Sequence, residues 1–86
     1  MKHKEIEKRV RYILSESLDI PLGQIKLSTL LVDELGLDSY GILEITQEIE
    51  EAFDIKLIKE SAVFPKLVTV KDAADYVYKS MRNISK

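Results

Sequence analysis

The chain has 86 residues, of which 45% are hydrophobic and 33% charged, and its formal net charge is −2. This length predicts a single domain over residues 1–86, with a core too small for a deep active site. It contains no cysteine, which excludes a disulfide framework and a thiolate metal site. Since no apolar run approaches the roughly 18 residues of a membrane span and the N-terminus is charged rather than signal-like, we expect a cytoplasmic protein with no membrane span. We also expect a monomer.

The first predicted element is a helix that ends near Ser17, before Pro21. The apolar positions that share one face of it are Ile6, Val10, Ile13 and Leu14. The stretch that follows, residues 18–38, is too long for an ordinary helix connection. Because it is rich in leucine and isoleucine, we expect this first loop to pack across the bundle, with one short turn of helix around residues 29–34.

The second predicted helix runs from about Ser39 to Phe53. Its apolar stripe, at spacings of three and four, consists of Ile42, Ile45, Ile49, Ala52 and Phe53. The other faces are acidic, because no lysine or arginine occurs between Lys26 and Lys56. Thr46 lies beside the stripe, and its hydroxyl is expected to bond the backbone carbonyl one turn earlier.

A short helix is predicted near residues 59–64, where Pro65 would stop it. The third main helix begins at Thr69, where Thr69 and Asp72 resemble a capping box with Asp in place of Glu. Its inward positions are Val70, Ala73, Ala74, Val77 and Met81. No segment alternates convincingly for a strand, so the fold class is all-α: a small four-helix bundle of three main helices and one short helix, with a long first loop.

Few residues are candidates for catalysis or metal binding. His3 is the only histidine, and it lies in a terminus expected to fray, so neither a Ser-His-Asp triad nor a histidine metal site has much support. A calcium loop from Asp33 would place Leu35 and Leu37 where oxygen ligands are required. The mildly basic N-terminal residues lack the aromatic neighbours of a nucleic-acid surface. We therefore expect neither an enzyme, nor a metal protein, nor a nucleic-acid binder.

Ser39 remains, at the point where a glycine-containing loop gives way to the second helix. The free backbone N–H groups and the positive dipole at a helix start favour an adjacent anion, such as a phosphate ester on Ser39. Asp38 can cap the helix itself, which leaves the Ser39 hydroxyl pointing outward. The residues alone leave two interpretations open: one of these side chains is simply an N-cap, or Ser39 is an attachment point.

Three segments, in this order, resemble acyl carrier proteins over nearly the whole chain. They are Asp33-Glu34-Leu35-Gly36-Leu37-Asp38-Ser39, Glu50-Glu51-Ala52-Phe53-Asp54-Ile55 and Thr69-Val70-Lys71-Asp72-Ala73. The resemblance implies that a separate phosphopantetheinyl transferase attaches 4′-phosphopantetheine from coenzyme A to Ser39, between Asp38 and Tyr40. It implies that the chain is a carrier and not an enzyme. Such a carrier holds acyl intermediates as thioesters and presents them to enzymes of fatty-acid, lipid or polyketide biosynthesis.

The resemblance also implies a partner surface on the second helix. Glu44, Glu48 and Glu51 would steer the basic surfaces of acyl-transferring, condensing or ligase enzymes, and Leu43 would be an exposed apolar contact. The alternatives are a solvated helix face for the glutamates and the edge of the core for Leu43. The residues expected to shelter an acyl chain are Ile45, Thr46, Ile49, Phe53, Ile58, Ala62, Phe64, Ala74 and Val77.

Tyr40 and Gly41 depart from the family pattern, in which leucine or methionine and then a polar residue are usual. Glycine in the first turn costs up to about 1 kcal/mol of helix stability, so this end of the helix is expected to be looser. The departures suggest a specialised carrier. Two alternatives remain open: a free-standing peptidyl or D-alanyl carrier, and an unmodified helical interaction module whose acidic helix binds a basic partner.

Overall fold

The computed structural model of the chain describes residues 2–55 and 67–84. They form three α-helices, which we number α1 (His3–Leu18), α2 (Ser39–Phe53) and α3 (Val70–Ile84), and one 3₁₀ turn at Leu22–Gln24. Within these two ranges the only β-type pairing is an isolated bridge between Leu30 and Thr69. The all-α class is confirmed, whereas the short helix predicted near residues 59–64 lies outside the described residues, so the described bundle has three helices and not four.

Helix α1 buries one face completely. Ile6, Val10 and Leu14 are each 0% exposed, as their spacing predicts. The helix continues one residue beyond the predicted end and stops because Asp19 adopts the left-handed conformation, with φ 55° and its N–H bonded to Ser15 O. No described helix is long and apolar enough to cross a membrane.

The start of α1 differs from the sequence prediction, which expects His3 to fray. His3 Nε2 lies 2.7 Å from Asp75 Oδ1 of α3, and the His3 ring packs on the Tyr78 ring with their centroids 4.7 Å apart. These contacts join residues more than 70 positions apart in the chain. The first turn of α1 is therefore held against the middle of α3.

The first loop packs against the helices, as predicted. A side chain of α1 binds its backbone, and apolar side chains of the loop enter the core. Arg11 donates from Nε to Ile25 O at 2.5 Å and from Nη2 to Leu22 O at 3.1 Å, which fixes the 3₁₀ turn. Ile25, Leu31 and Leu37 enter the core. The short helix expected at residues 29–34 is instead a succession of turns, because only isolated helix-type bonds form there.

Helix α3 begins with the predicted capping box. Thr69 Oγ1 accepts from Asp72 N at 3.1 Å, and Asp72 Oδ2 accepts from Thr69 N at 3.0 Å. The first loop satisfies two further N–H groups of this first turn, since Val70 N donates to Thr29 O and Lys71 N donates to Leu27 O. The start of α3 is thus tied to the loop that leads into α2.

We expect Asp72→Ala to destabilise the fold by about 1 kcal/mol at neutral pH, because it removes the acceptor for the N–H groups of Thr69 and Val68. The bond from Thr69 N–H is the largest cause that lowers the pKa of Asp72 below 3.8, although burial opposes it. A lowered pKa stabilises the fold above the unfolded-state value of about 3.9 and stops doing so as the pH falls through the folded-state value.

Urea unfolding at neutral pH and at about pH 3 measures this difference. The gap between wild type and Asp72→Ala should shrink at the lower pH, and the exposed Asp33→Ala serves as the control with the same substitution. A gap that stays constant between the two pH values would contradict the capping role of the carboxylate.

Helix α2 has the predicted bounds, with one error in its inward face. Ile45, Thr46, Ile49 and Phe53 are buried, whereas Ala52 is exposed. At 100° per residue, Ala52 lies about 80° from Ile42 around the axis, while Thr46 lies only about 40° away. Thr46 enters the core because its hydroxyl donates to Ile42 O at 2.7 Å, the bond predicted for it.

Candidate functional site

Ser39 is the first residue of α2, and Asp38 is the N-cap. Asp38 Oδ1 accepts from Gly41 N at 2.7 Å, and Asp38 O accepts from Ile42 N at 2.9 Å. The side chain that caps this helix is therefore that of Asp38. The Ser39 side chain is exposed, and among the described residues its hydroxyl has no hydrogen-bond partner.

The first turn of α2 offers two backbone donors beside this hydroxyl. Gly41 N and Ile42 N both donate to Asp38, whereas the N–H groups of Ser39 and Tyr40 have no partner within residues 2–55 and 67–84. Free N–H groups and the positive end of the helix dipole stabilise a phosphate. Because these two donors belong to the turn that begins at Ser39, the residues present fit a phosphodiester on Ser39 Oγ.

The loop before Ser39 is fixed by a glycine and a buried leucine. Gly36 has φ +72°, a conformation that side chains disfavour. Leu37 is 6% exposed, and its N–H donates to Leu31 O at 3.1 Å. The chain thus turns at Gly36, anchors at Leu37 and presents Asp38 and Ser39 at the surface.

Gly41 has a packing role that the sequence analysis missed. A Cβ at this position would lie 3.0 Å from Leu37 Cδ2 and 3.3 Å from Asp38 Oδ1. The lack of a side chain at Gly41 therefore lets the first turn of α2 pack closely on Leu37 while Gly41 N donates to Asp38 Oδ1. The helix-propensity cost of glycine is offset here by contacts that a larger residue would crowd.

The exposed surface of α2 has an apolar and an acidic part. Tyr40 is 70% exposed and Leu43 42% exposed, and at a spacing of three residues they are neighbours on the helix surface. Leu43 is thus exposed and not a core residue. Together they form an apolar patch that begins at Tyr40, next to Ser39, and extends one turn along α2 to Leu43.

The acidic part follows a groove between α2 and the end of α1. This groove has a volume of about 340 Å³, and Glu44, Glu48 and Glu51 all line it. Ser17 of α1 donates from Oγ to Glu48 Oε2. Ser17 lies 31 residues from Glu48, so no sequence signal pointed to it. Of the three glutamates, Glu48 is the one tied to α1 by this bond.

The interior of the bundle contains a small cavity of about 20 Å³, which is room for about one water-sized body. Of the expected acyl-shelter residues, four line it: Ile45, Thr46, Ile49 and Val77. Phe53 and Ala74 are buried but do not line it, and Ile58, Ala62 and Phe64 lie outside the described residues. As formed by the described residues, this cavity is too small to hold an acyl chain.

The comparisons with known proteins agree with this geometry. The family model described as the phosphopantetheine attachment site matches residues 8–77. The chain belongs to the phosphopantetheine attachment-site family. This confirms the family indicated by the three resembling segments.

The fold of this phosphopantetheine attachment-site protein is also that of a solved acyl carrier protein. The structure of the acyl carrier protein from Enterococcus faecalis, reported for its high thermal stability, matches with a TM-score of 0.72 and 29% identity. The match covers 93% of this chain and 99% of that chain. The family match spans Ser39, both of its neighbours and the whole of α2.

Proposed function

We propose that this chain is an acyl carrier protein whose Ser39 Oγ receives 4′-phosphopantetheine from coenzyme A. The observation that carries the proposal is the exposed Ser39 hydroxyl at the start of α2, where the helix is capped by the side chain of Asp38 and not by that of Ser39. Beside it are two N–H groups that have no partner among the described residues. When bound, the group supplies a thiol that holds acyl intermediates as thioesters, and the cysteine-free chain cannot supply that thiol itself. A separate phosphopantetheinyl transferase makes the attachment.

The chain's own residues present the Ser39 oxygen, stabilise the phosphate and contact the arm or the enzyme that loads it. Asp38 holds the first turn of α2, so that the Ser39 oxygen faces solvent, where a transferase can reach it. The Ser39 and Tyr40 N–H groups stabilise the phosphate charge. The Tyr40 ring is highly exposed next to the attachment point and contacts the arm or the enzyme that loads it.

Partner enzymes dock on α2. Glu44, Glu48 and Glu51 attract basic surfaces of acyl-transferring, condensing or ligase enzymes, and Leu43 supplies an apolar contact between the acidic groups and Ser39. These enzymes belong to fatty-acid, lipid or polyketide biosynthesis. We further propose that residues 1–86 form a single carrier domain that acts as a monomer in the cytoplasm.

The carrier function is tested by acyl loading. The arm-bearing protein is incubated with ATP and a fatty acid or an amino acid, each with a ligase of broad specificity for that class. The acyl-carrier proposal predicts a hydroxylamine-sensitive acyl adduct with the fatty acid and little adduct with the amino acid. The reverse preference would establish a peptidyl or D-alanyl carrier instead.

We expect Glu44→Lys to slow phosphopantetheine transfer by about three- to tenfold at low salt, because an exposed charge of the wrong sign weakens electrostatic steering. Transfer rates at low and high ionic strength measure the effect, which should diminish as salt screens the charges. Glu16→Lys is the matched control, since it makes the same charge change at an exposed position of α1. Equal slowing by both variants would show that net charge, and not the α2 surface, matters.

A further inference from the structure

A second cluster of potential ligand groups lies away from α2, where the start of α1 packs on α3. His3 Nε2 lies 2.7 Å from Asp75 Oδ1 and 3.9 Å from Glu7 Oε2. One ligand atom from each residue lies within 4.8 Å of the other two. The side chains of His3, Glu7 and Asp75 are 39%, 17% and 36% exposed, so an ion can reach them while protein surrounds much of the cluster.

The backbone positions of all three residues are set by helices. His3 and Glu7 are four residues apart on α1 and so share a face of that helix. Asp75 comes from α3, which packs against α1, and Ile6 of α1 and Ala74 of α3 both belong to the buried core. The His3 ring also packs against the Tyr78 ring at 4.7 Å. Ligands on rigid elements, with a packed imidazole, are favourable for a defined coordination geometry.

We propose that His3, Glu7 and Asp75 bind a divalent transition-metal ion, with Zn²⁺ as the preferred ion and water completing its coordination. One imidazole nitrogen and two carboxylates are a ligand set that suits Zn²⁺, whereas Mg²⁺ and Ca²⁺ favour oxygen alone. Donors about 2.0–2.2 Å from a tetrahedral ion lie about 3.4 Å apart. His3 Nε2 lies 2.7 Å from Asp75 Oδ1 and 3.9 Å from Glu7 Oε2, which bracket that value, so side-chain rotations bring the atoms into place.

Lys71 provides a built-in competitor. Its Nζ lies 3.5 Å from Asp75 Oδ2, one helical turn away on α3. An ammonium group and a metal ion compete for the same carboxylate, because each is attracted by its negative charge. Removing the lysine charge therefore strengthens metal binding, an effect opposite to that expected if these residues were only an ion-pair network between helices.

The site is tested by calorimetry with ZnCl₂ at about pH 7.5. The tag-free full chain carries Ser39→Ala, so that no attached thiol competes for the ion. We expect one Zn²⁺ per chain and a Tm that rises by several degrees at saturation, because the ion binds only the folded state. Co²⁺ should give the visible absorption of a nitrogen- and oxygen-ligated ion.

Variants separate this site from other acidic surfaces. His3→Gln and Asp75→Asn should each weaken Zn²⁺ binding at least about tenfold, while Lys71→Gln strengthens it. The exposed Glu5→Gln on α1 and Glu44→Gln on α2 are controls that should bind as the parent does.

Three results would overturn the proposal. They are the absence of binding below about 1 mM Zn²⁺, unchanged binding in His3→Gln and Asp75→Asn, and weaker binding in Lys71→Gln. The last variant keeps every ligand, so it tests the site even if a ligand substitution loosens the start of α1.

Discussion

Ser39→Ala is expected to abolish transfer of 4′-phosphopantetheine from coenzyme A, since it removes the exposed hydroxyl at the start of α2. The fold should remain intact, because the capping side chain is that of Asp38 and not that of Ser39. We expect its unfolding free energy to stay within about 0.5 kcal/mol of wild type. Intact-protein mass after incubation with a broad-specificity transferase measures loading, and urea unfolding measures stability.

Two matched variants complete this test. Ser28→Ala removes another exposed hydroxyl, in the first loop, and should load like wild type. Asp38→Ala removes the cap and should lose about 1 kcal/mol of stability, whereas Asp38→Asn should lose much less, since asparagine also caps helices well. Loading of the Ser39→Ala chain would contradict the assignment of Ser39. A loss of stability in that variant equal to the loss in Asp38→Ala would contradict the division of roles between the two residues.

The largest effect on stability is expected from Leu14→Ala, at about 2–5 kcal/mol. Leu14 is 0% exposed and lines the small cavity between the helices. Truncation enlarges that cavity and removes contacts that join α1 to the other two helices. The expected loss of about 2–5 kcal/mol is a large part of the roughly 5–15 kcal/mol by which a small domain is stable, so the urea concentration at the midpoint of unfolding should fall steeply.

Leu43→Ala is the matched control, because it makes the same truncation on the exposed surface of α2, where Leu43 is 42% exposed. Its stability should change by no more than about 0.5 kcal/mol, while its loading by the transferase should slow through the lost apolar contact. Equal destabilisation by Leu14→Ala and Leu43→Ala would contradict the assignment of Leu14 to the core and Leu43 to the partner surface.

Local signals in the sequence were enough to predict much of the fold. The bounds of α2 at Ser39 and Phe53 follow from its periodic stripe and the preceding cap. The Thr69 and Asp72 box is confirmed because its partners are only three residues apart. The Thr46 bond to the previous turn is equally local. In each case the residues that determine the structure are close together in the sequence.

Contacts between distant segments could not be predicted in the same way. Arg11 binds two carbonyls of the first loop, Ser17 reaches Glu48 across helices, and His3 reaches Asp75. No periodicity or motif contains this information, because such pairs form only once the helices pack. The expectation that His3 frays failed for that reason.

The candidate site was predicted in part. The sequence placed Asp38 and Ser39 at the start of α2 but left open which side chain caps the helix and whether Leu43 is exposed or at the edge of the core; in the structure Asp38 is the cap, and Ser39 and Leu43 are exposed. The role of Gly41 depends on Leu37 lying beneath the first turn, and the sequence alone indicated only a cost in helix propensity. The specialised carrier that Tyr40 and Gly41 suggest stays a prediction, and the chemistry of the cargo depends on partner enzymes.

The most direct test of the central claim is the intact mass of the wild-type chain, isolated from cells that also express a phosphopantetheinyl transferase of broad specificity. Our account predicts a shift by the mass of one phosphopantetheine, located by peptide mapping to Ser39. An unmodified wild-type chain, from cells in which a known carrier protein is fully modified, would contradict it.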